Sequence, residues 1–211
     1  MPQSVANYNV APTQSVHAVV DDDEDRWLDL FHWGLVPFWA KGPEIGSRMI
    51  NARAETLTEK NSFKRPFARQ RCIIPADGFY EWTQVAGQKK KQPVFLRPAD
   101  ESIFAFAALW DVWSDPARVD GEGRPLELHS CTVITCPPNE AVATVHDRMP
   151  VLLPPSAWDE WLDRSNRDVG ALQRLLEPAP ASVIEMHPVS TAVNNVRNNG
   201  PHLLEEAGDC D

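Results

Sequence analysis

Val16-His17-Ala18-Val19-Val20-Asp21-Asp22-Asp23-Glu24-Asp25-Arg26-Trp27-Leu28-Asp29-Leu30-Phe31-His32-Trp33 reads as two β-strands folded back on each other around an acidic turn. In the second strand Leu28 and Leu30 fall on one face and Phe31 and Trp33 on the other, because side chains alternate along a strand. Further strand-like runs follow at residues 71–74, 79–84, 93–97, 103–110 and 128–135. Between two of them, Gly87-Gln88-Lys89-Lys90-Lys91 looks like the exposed tip of a hairpin.

Helical patterns are fewer and shorter. They cover 54–59, 62–70 and 139–145, and Pro66 is expected to end or kink the second by removing a backbone donor. Ser156 followed by Asp159 signals a capped helix over 156–163, and 169–176 suits another, stopped by Pro178 and Pro180. Without a regular strand–helix repeat, the pattern predicts an α+β protein with a mostly antiparallel, barrel-like β core and short peripheral helices. No low-complexity linker divides the 211 residues, so residues 1–211 are read as one domain, with an acidic tail over 205–211.

No apolar run reaches the roughly twenty residues that span a bilayer, and residues 1–10 lack a secretion-signal layout. The expectation is a soluble, cytoplasmic protein. Cys72, Cys131, Cys136 and Cys210 are too sparse for a disulfide framework. Cys131, Cys136 and nearby His129 raise a metal site. A strand would put those two thiols on opposite faces, and no second ligand pair of zinc-type spacing exists, so buried thiols and no metal or cofactor are expected.

The net charge of −10 argues against a general nucleic-acid coat, but the charge is uneven. Between residues 48 and 71, Arg48, Arg53, Lys60, Lys64, Arg65, Arg69 and Arg71 face only Glu55 and Glu59. Such a strip can hold a phosphate backbone, or it can be a solvated helix face, which is what charge alone favours.

Three polar islands interrupt the apolar runs: Asn51-Ala52-Arg53-Ala54-Glu55, Gly78-Phe79-Tyr80-Glu81-Trp82 and His146-Asp147-Arg148-Met149-Pro150. Together with Tyr8-Asn9-Val10-Ala11-Pro12, Trp33-Gly34-Leu35-Val36-Pro37, His187-Pro188-Val189-Ser190 and residues 193–200, they make the chain resemble the SOS-response-associated peptidase family. These are abasic-site-processing proteins that crosslink to single-stranded DNA. The motifs span nearly the whole chain in the family's order.

The resemblance implies a covalent chemistry. A cysteine following the initiator methionine attacks the open-chain aldehyde of an abasic sugar, and its amine and thiol close a thiazolidine. The same nucleophile explains self-processing of the leading peptide bond. On this reading Glu81 is the general acid–base, Asn51 orients the aldehyde oxygen, and His146 moves protons. Arg53 and Arg148 would grip phosphates, and Thr135 with the turn from Asn9 to Pro12 would line the same pocket. Trp39 and Trp82 would stack on unpaired bases, favouring single strands. The implied partner is single-stranded DNA with abasic sites, with nucleoid association when bound and no obligate protein partner.

Each role has a bland competitor. Glu81 can sit in water opposite Tyr80 and Trp82, His146 can cap a helix, Asn51 can be a turn residue, and the arginines can pair with Asp147 or Glu55. The sequence begins Met1-Pro2-Gln3-Ser4 where the family has Met-Cys-Gly-Arg and a helical segment before Tyr8. A start placed too far downstream, a shortened polypeptide and an inactive paralogue are the competing explanations; the joint presence of Asn51, Glu81 and His146 favours the first two. Pro2, freed of Met1, offers a secondary amine that can form an iminium, and its span to Tyr8 extends to about 20 Å. Two other classes stand beside the enzyme: a non-catalytic single-strand reader, and a thiol protease pairing Cys131 or Cys136 with His146.

Overall fold

The computed structural model describes residues 5–21, 25–87 and 89–208. Pro2, Asp22, Asp23, Glu24, Gln88 and Cys210 lie outside the described residues, and so does the end of the acidic tail. The opening hairpin follows its alternation. β1 (Ser15–Asp21) pairs antiparallel with β2 (Arg26–Trp33), from Ser15 opposite His32 to Asp21 opposite Arg26. Phe31 is buried in the core, while Leu28 and Leu30 stay exposed on the other face.

After β2 come β3 (Asn51–Arg53), α1 (Asn61–Arg69), β4 (Arg71–Ala76), β5 (Phe79–Thr83), β6 (Gln92–Pro98), β7 (Phe104–Val119) and β8 (Pro125–Cys136). The chain ends through β9 (Met149–Pro150), α2 (Trp158–Leu162), α3 (Val169–Arg174) and β10 (Ile184–Pro188). The strands β2-β1-β4-β7-β8 are neighbours in that order, antiparallel at every step. β2 then returns to β8 in parallel, His32 opposite Ser130 and Trp33 opposite Cys131. The result is a five-stranded mixed barrel, antiparallel except at its closing seam, filled by Ala18, Val20, Phe31, Leu109, Cys131 and Ile134 among others.

β8 organises what lies beyond the barrel. Along one edge it pairs first with β2 and then with β3, which places Arg53 beside Thr135. Along the other edge it passes from β7 to β9. A second, three-stranded antiparallel sheet, β10-β6-β5, leaves β5 at its margin. In the β5–β6 hairpin Glu81 lies opposite Val94 and Thr83 opposite Gln92, so the lysine tip projects directly beyond the last pair.

Several helical expectations are corrected. Pro66 lies inside α1 without ending it. Burial of Phe67 against Trp161 and a hydrogen bond from Arg71 to the Phe67 carbonyl hold that helix on the barrel. Residues 54–59 form only a 3-10 turn, Ala54–Thr56, because residues 51–53 are drawn into β3. Residues 139–145 give a single turn, Val142–Thr144, in which the Asn139 side chain accepts from the Val142 N–H. Ser156 is not a cap: it sits within a short 3-10 turn, Pro155–Ala157, ahead of α2. Asp168 does cap α3, accepting from the Ala171 N–H at 2.9 Å.

Candidate active site

Alternation along β5 divides its side chains. Tyr80 and Trp82 face the C-terminal segment, where they pack with Phe95, Val189, Val193 and Leu204. Tyr80 donates its hydroxyl to the Tyr8 carbonyl at 2.8 Å, and Trp82 donates its indole N–H to Asn194 Oδ1 at 2.7 Å. Glu81 points the other way. Its side chain is 21% exposed, and its Oε2 lies 3.9 Å from His146 Nε2. Burial raises the Glu81 pKa above the usual carboxylate range, partly offset by His146 and by the positive charge of Lys91.

His146 reaches Glu81 because the turn Val142–Thr144 ends just before it, with the His146 N–H returning to the Val142 carbonyl. The imidazole Nδ1 meets the Arg148 main chain twice, 3.0 Å from its N–H and 3.0 Å from its carbonyl. Either tautomer is therefore satisfied: Nδ1 accepts from the N–H or donates to the carbonyl, and Nε2 correspondingly bears a proton or is free to take one. An open depression of about 550 Å³ lined by Pro138, Ala143, Thr144, Val145, His146 and Asp147 adjoins the pair.

Arg148 continues the constellation. Its guanidinium forks onto Glu55, Nη1 to Oε1 at 2.6 Å and Nη2 to Oε2 at 2.9 Å, while Nη2 also donates to the Thr135 carbonyl at 2.6 Å. The Glu55 pKa is lowered, chiefly by this hydrogen-bonded fork. Arg53 is exposed beside Thr135 on the neighbouring strand. Asn51 is also exposed and two residues away, so it shares a face of β3 with Arg53, while Ala52 between them is buried. Among the described residues no hydrogen bond joins Asn51 to Glu81 or His146. Contacts thus run from Arg53 through Thr135, Arg148 and His146 to Glu81.

A sequence model of the family described as SOS response associated peptidase (SRAP) matches residues 1–196. The chain belongs to the SRAP family. It is similar to abasic site processing protein YoqW of Bacillus subtilis (strain 168), 46% identical over 199 residues that cover 94% of this chain and 85% of that protein. It is also similar to abasic site processing protein YedK of Escherichia coli (strain K12), 33% identical with 97% of this chain and 86% of that protein covered. Abasic site processing protein HMCES of Gallus gallus is 35% identical, with 87% of this chain and 58% of that protein covered. A solved structure of a protein from Bacteroides thetaiotaomicron superposes with a TM-score of 0.79 at 27% identity, covering 92% of this chain and 82% of that one.

Around this SRAP constellation the other sequence candidates divide. Trp39 is 49% exposed, next to Phe38 at 54%, whose ring lies under the Arg65 guanidinium at 4.5 Å. Asn9 is buried, and its side-chain amide donates to the carbonyls of Val193, Asn195 and Asn198 at 3.1–3.2 Å. It therefore fastens the C-terminal loop; Pro12 nearby is exposed. Cys72, Cys131 and Cys136 are buried thiols whose pKa values burial raises, Cys136 to about 11, which leaves little thiolate for a protease. In the sequence Glu55 stands out only as a pairing partner for the arginines, and Lys91 only as part of a hairpin tip. A bond across 93 residues leaves no local trace, and the effect of Lys91 depends on hairpin register.

Proposed function

We propose that this SRAP chain processes abasic sites in single-stranded DNA, with Glu81 and His146 as its proton-handling pair. The observation that carries the reading is the meeting of these two side chains, 65 residues apart in sequence, at 3.9 Å in a half-buried seat. The names of the relatives, each an abasic site processing protein, support the substrate class.

Abasic deoxyribose is mostly a closed hemiacetal, and opening it requires a proton to leave the anomeric hydroxyl while the ring oxygen gains one. A carboxyl whose pKa burial has raised can give a proton at a pH where an exposed carboxyl has none to give. An amine then adds to the aldehyde carbon, and the carbinolamine loses water to form a Schiff base. In the family reading the amine belongs to a cysteine whose thiol adds across the C=N bond, closing the thiazolidine and placing its proton on nitrogen. His146 Nε2 serves these transfers as acid or base without moving the ring, since Arg148 satisfies Nδ1 either way. Asn51 would hold the aldehyde oxygen, and Arg53 and Arg148 the adjoining phosphates. Trp39 would stack on an unpaired base.

The test is incubation with a single-stranded oligonucleotide carrying one abasic site, with and without borohydride, read on a denaturing gel. An adduct that survives denaturation, and whose rate of formation falls about 100-fold or more in Glu81→Gln, supports the reading. Salt-sensitive binding without any adduct would make the chain a reader of single strands. In the trapped reaction, an unchanged yield after selective acetylation of the α-amine excludes the Pro2 amine.

A further inference from the structure

The β5–β6 hairpin ends in Lys89, Lys90 and Lys91, all exposed, in a protein of net charge −10. None of the three takes part in an ion pair among the described residues. A hairpin tip needs no lysines to turn, and three adjacent ammonium groups concentrate positive charge at one exposed point where an anion can meet them. Their position is set by register: Thr83 opposite Gln92 is the last pair, and Glu81 sits two residues before Thr83 on the same short strand. Lys91 is close enough for its charge to be felt at the Glu81 carboxyl.

The cations near the acid–base pair are carried by separate elements. Arg53 and Arg148 stand on the His146 side, linked to it through Thr135 and the Arg148 main chain. The lysine tip lies beyond the end of the strand that carries Glu81. A strand with its damaged sugar between Glu81 and His146 has phosphates leading away in both directions. Arginines on one side alone would hold only one of those two flanks.

We infer that Lys89, Lys90 and Lys91 form a second phosphate anchor, gripping the single-stranded backbone on the opposite flank of the reacting sugar from Arg53 and Arg148. This rests on the reading of the site as one for single-stranded DNA. The ligand recognised is the phosphodiester backbone, not the bases, since ammonium groups on a hairpin tip match phosphates as point charges.

The experiment measures binding of a fluorescein-labelled single-stranded oligonucleotide by anisotropy across a salt series. It compares the full chain with Lys89→Gln/Lys90→Gln, Lys89→Glu/Lys90→Glu and Arg53→Gln. Loss of two backbone contacts should reduce the slope of log K against log salt by about 1.4 in the Gln pair, with a larger fall in affinity for the Glu pair. With oligonucleotides that carry nucleotides on only one side of the abasic site, the lysine effect should persist for one polarity and vanish for the other. A slope and affinity unchanged in both lysine pairs, while Arg53→Gln lowers them, overturns the anchor and leaves the site reading intact. An equal lysine effect for both polarities also overturns it, since that is general attraction. Failure of the unaltered chain to bind any single strand sinks the site reading, and the anchor with it.

Discussion

Burial holds the Glu81 proton more tightly in the folded chain than in the unfolded one. The native state therefore binds more protons between the ordinary carboxylate pKa and the raised one, and stability falls as pH climbs through that window. Glu81→Gln cannot ionise, so its melting temperature should match that of the unaltered protein at about pH 4 and exceed it near pH 7. Scanning calorimetry at the two pH values checks this, and a constant gap would mean that the carboxyl is not desolvated. Glu55 poses the opposite problem, since its fork occupies both terminal nitrogens of Arg148, the face with which a guanidinium clasps a phosphate. On the proposed reading a phosphate reaching Arg148 has to displace a carboxylate. Glu55→Gln should tighten single-strand binding about twofold to fivefold, in keeping with the roughly 1 kcal/mol or less of a partly exposed ion pair. Weaker binding in that variant would recast Glu55 as the group that aims Arg148.

Between β4, α1 and α2 a buried cation joins all three elements. Arg71 is 1% exposed and faces carbonyls rather than a carboxylate: those of Phe67, Trp161, Asp163 and Asn166. Burial lowers its pKa to about 10. Arg71→Met should cost about 3–5 kcal/mol in urea denaturation, because it strands several buried acceptors at once. Nothing in the sequence marked Arg71 out from Arg69, which stands in the same basic strip; burial alone separates them. The same limit governed the elements. Strands whose alternation separates core from solvent, such as β1 and β2, were legible. The outer ends of β7 and β8 were not: there Ser114 pairs with Glu127 in a ribbon held by backbone bonds, with little apolar pattern. Helix 139–145 was overread, since one buried position, Val142, and an Asn139 cap support a single turn. Of the candidate site, the family resemblance named Glu81 and His146 with their roles and implied that they share a pocket, but their 3.9 Å approach is set by the fold and leaves no local trace in the sequence.

Closure of the barrel passes through Gly34, which follows β2 with φ +142° and donates its N–H to the Cys131 carbonyl at 2.9 Å. A Cβ there would lie 2.6 Å from the Gly46 carbonyl oxygen, a backbone atom that cannot swing aside. Gly34→Ala combines a disfavoured φ with that clash, and should lower the melting temperature by roughly 5–15 °C. The two extremities of the fold are joined as well. The Tyr8 N–H donates to the Asn199 side chain, and the Asn9 amide holds carbonyls up to 189 residues further along. During translation the arm at Tyr8 and Asn9 therefore lacks its anchorage on Asn199 and on the 193–198 carbonyls until that loop has been made, roughly 10–40 s after Tyr8 itself at about 5–20 residues per second. The nascent barrel can close earlier, so a ribosome stalled before that loop would display a folded core whose Tyr8–Asn9 arm is held by Tyr80 alone.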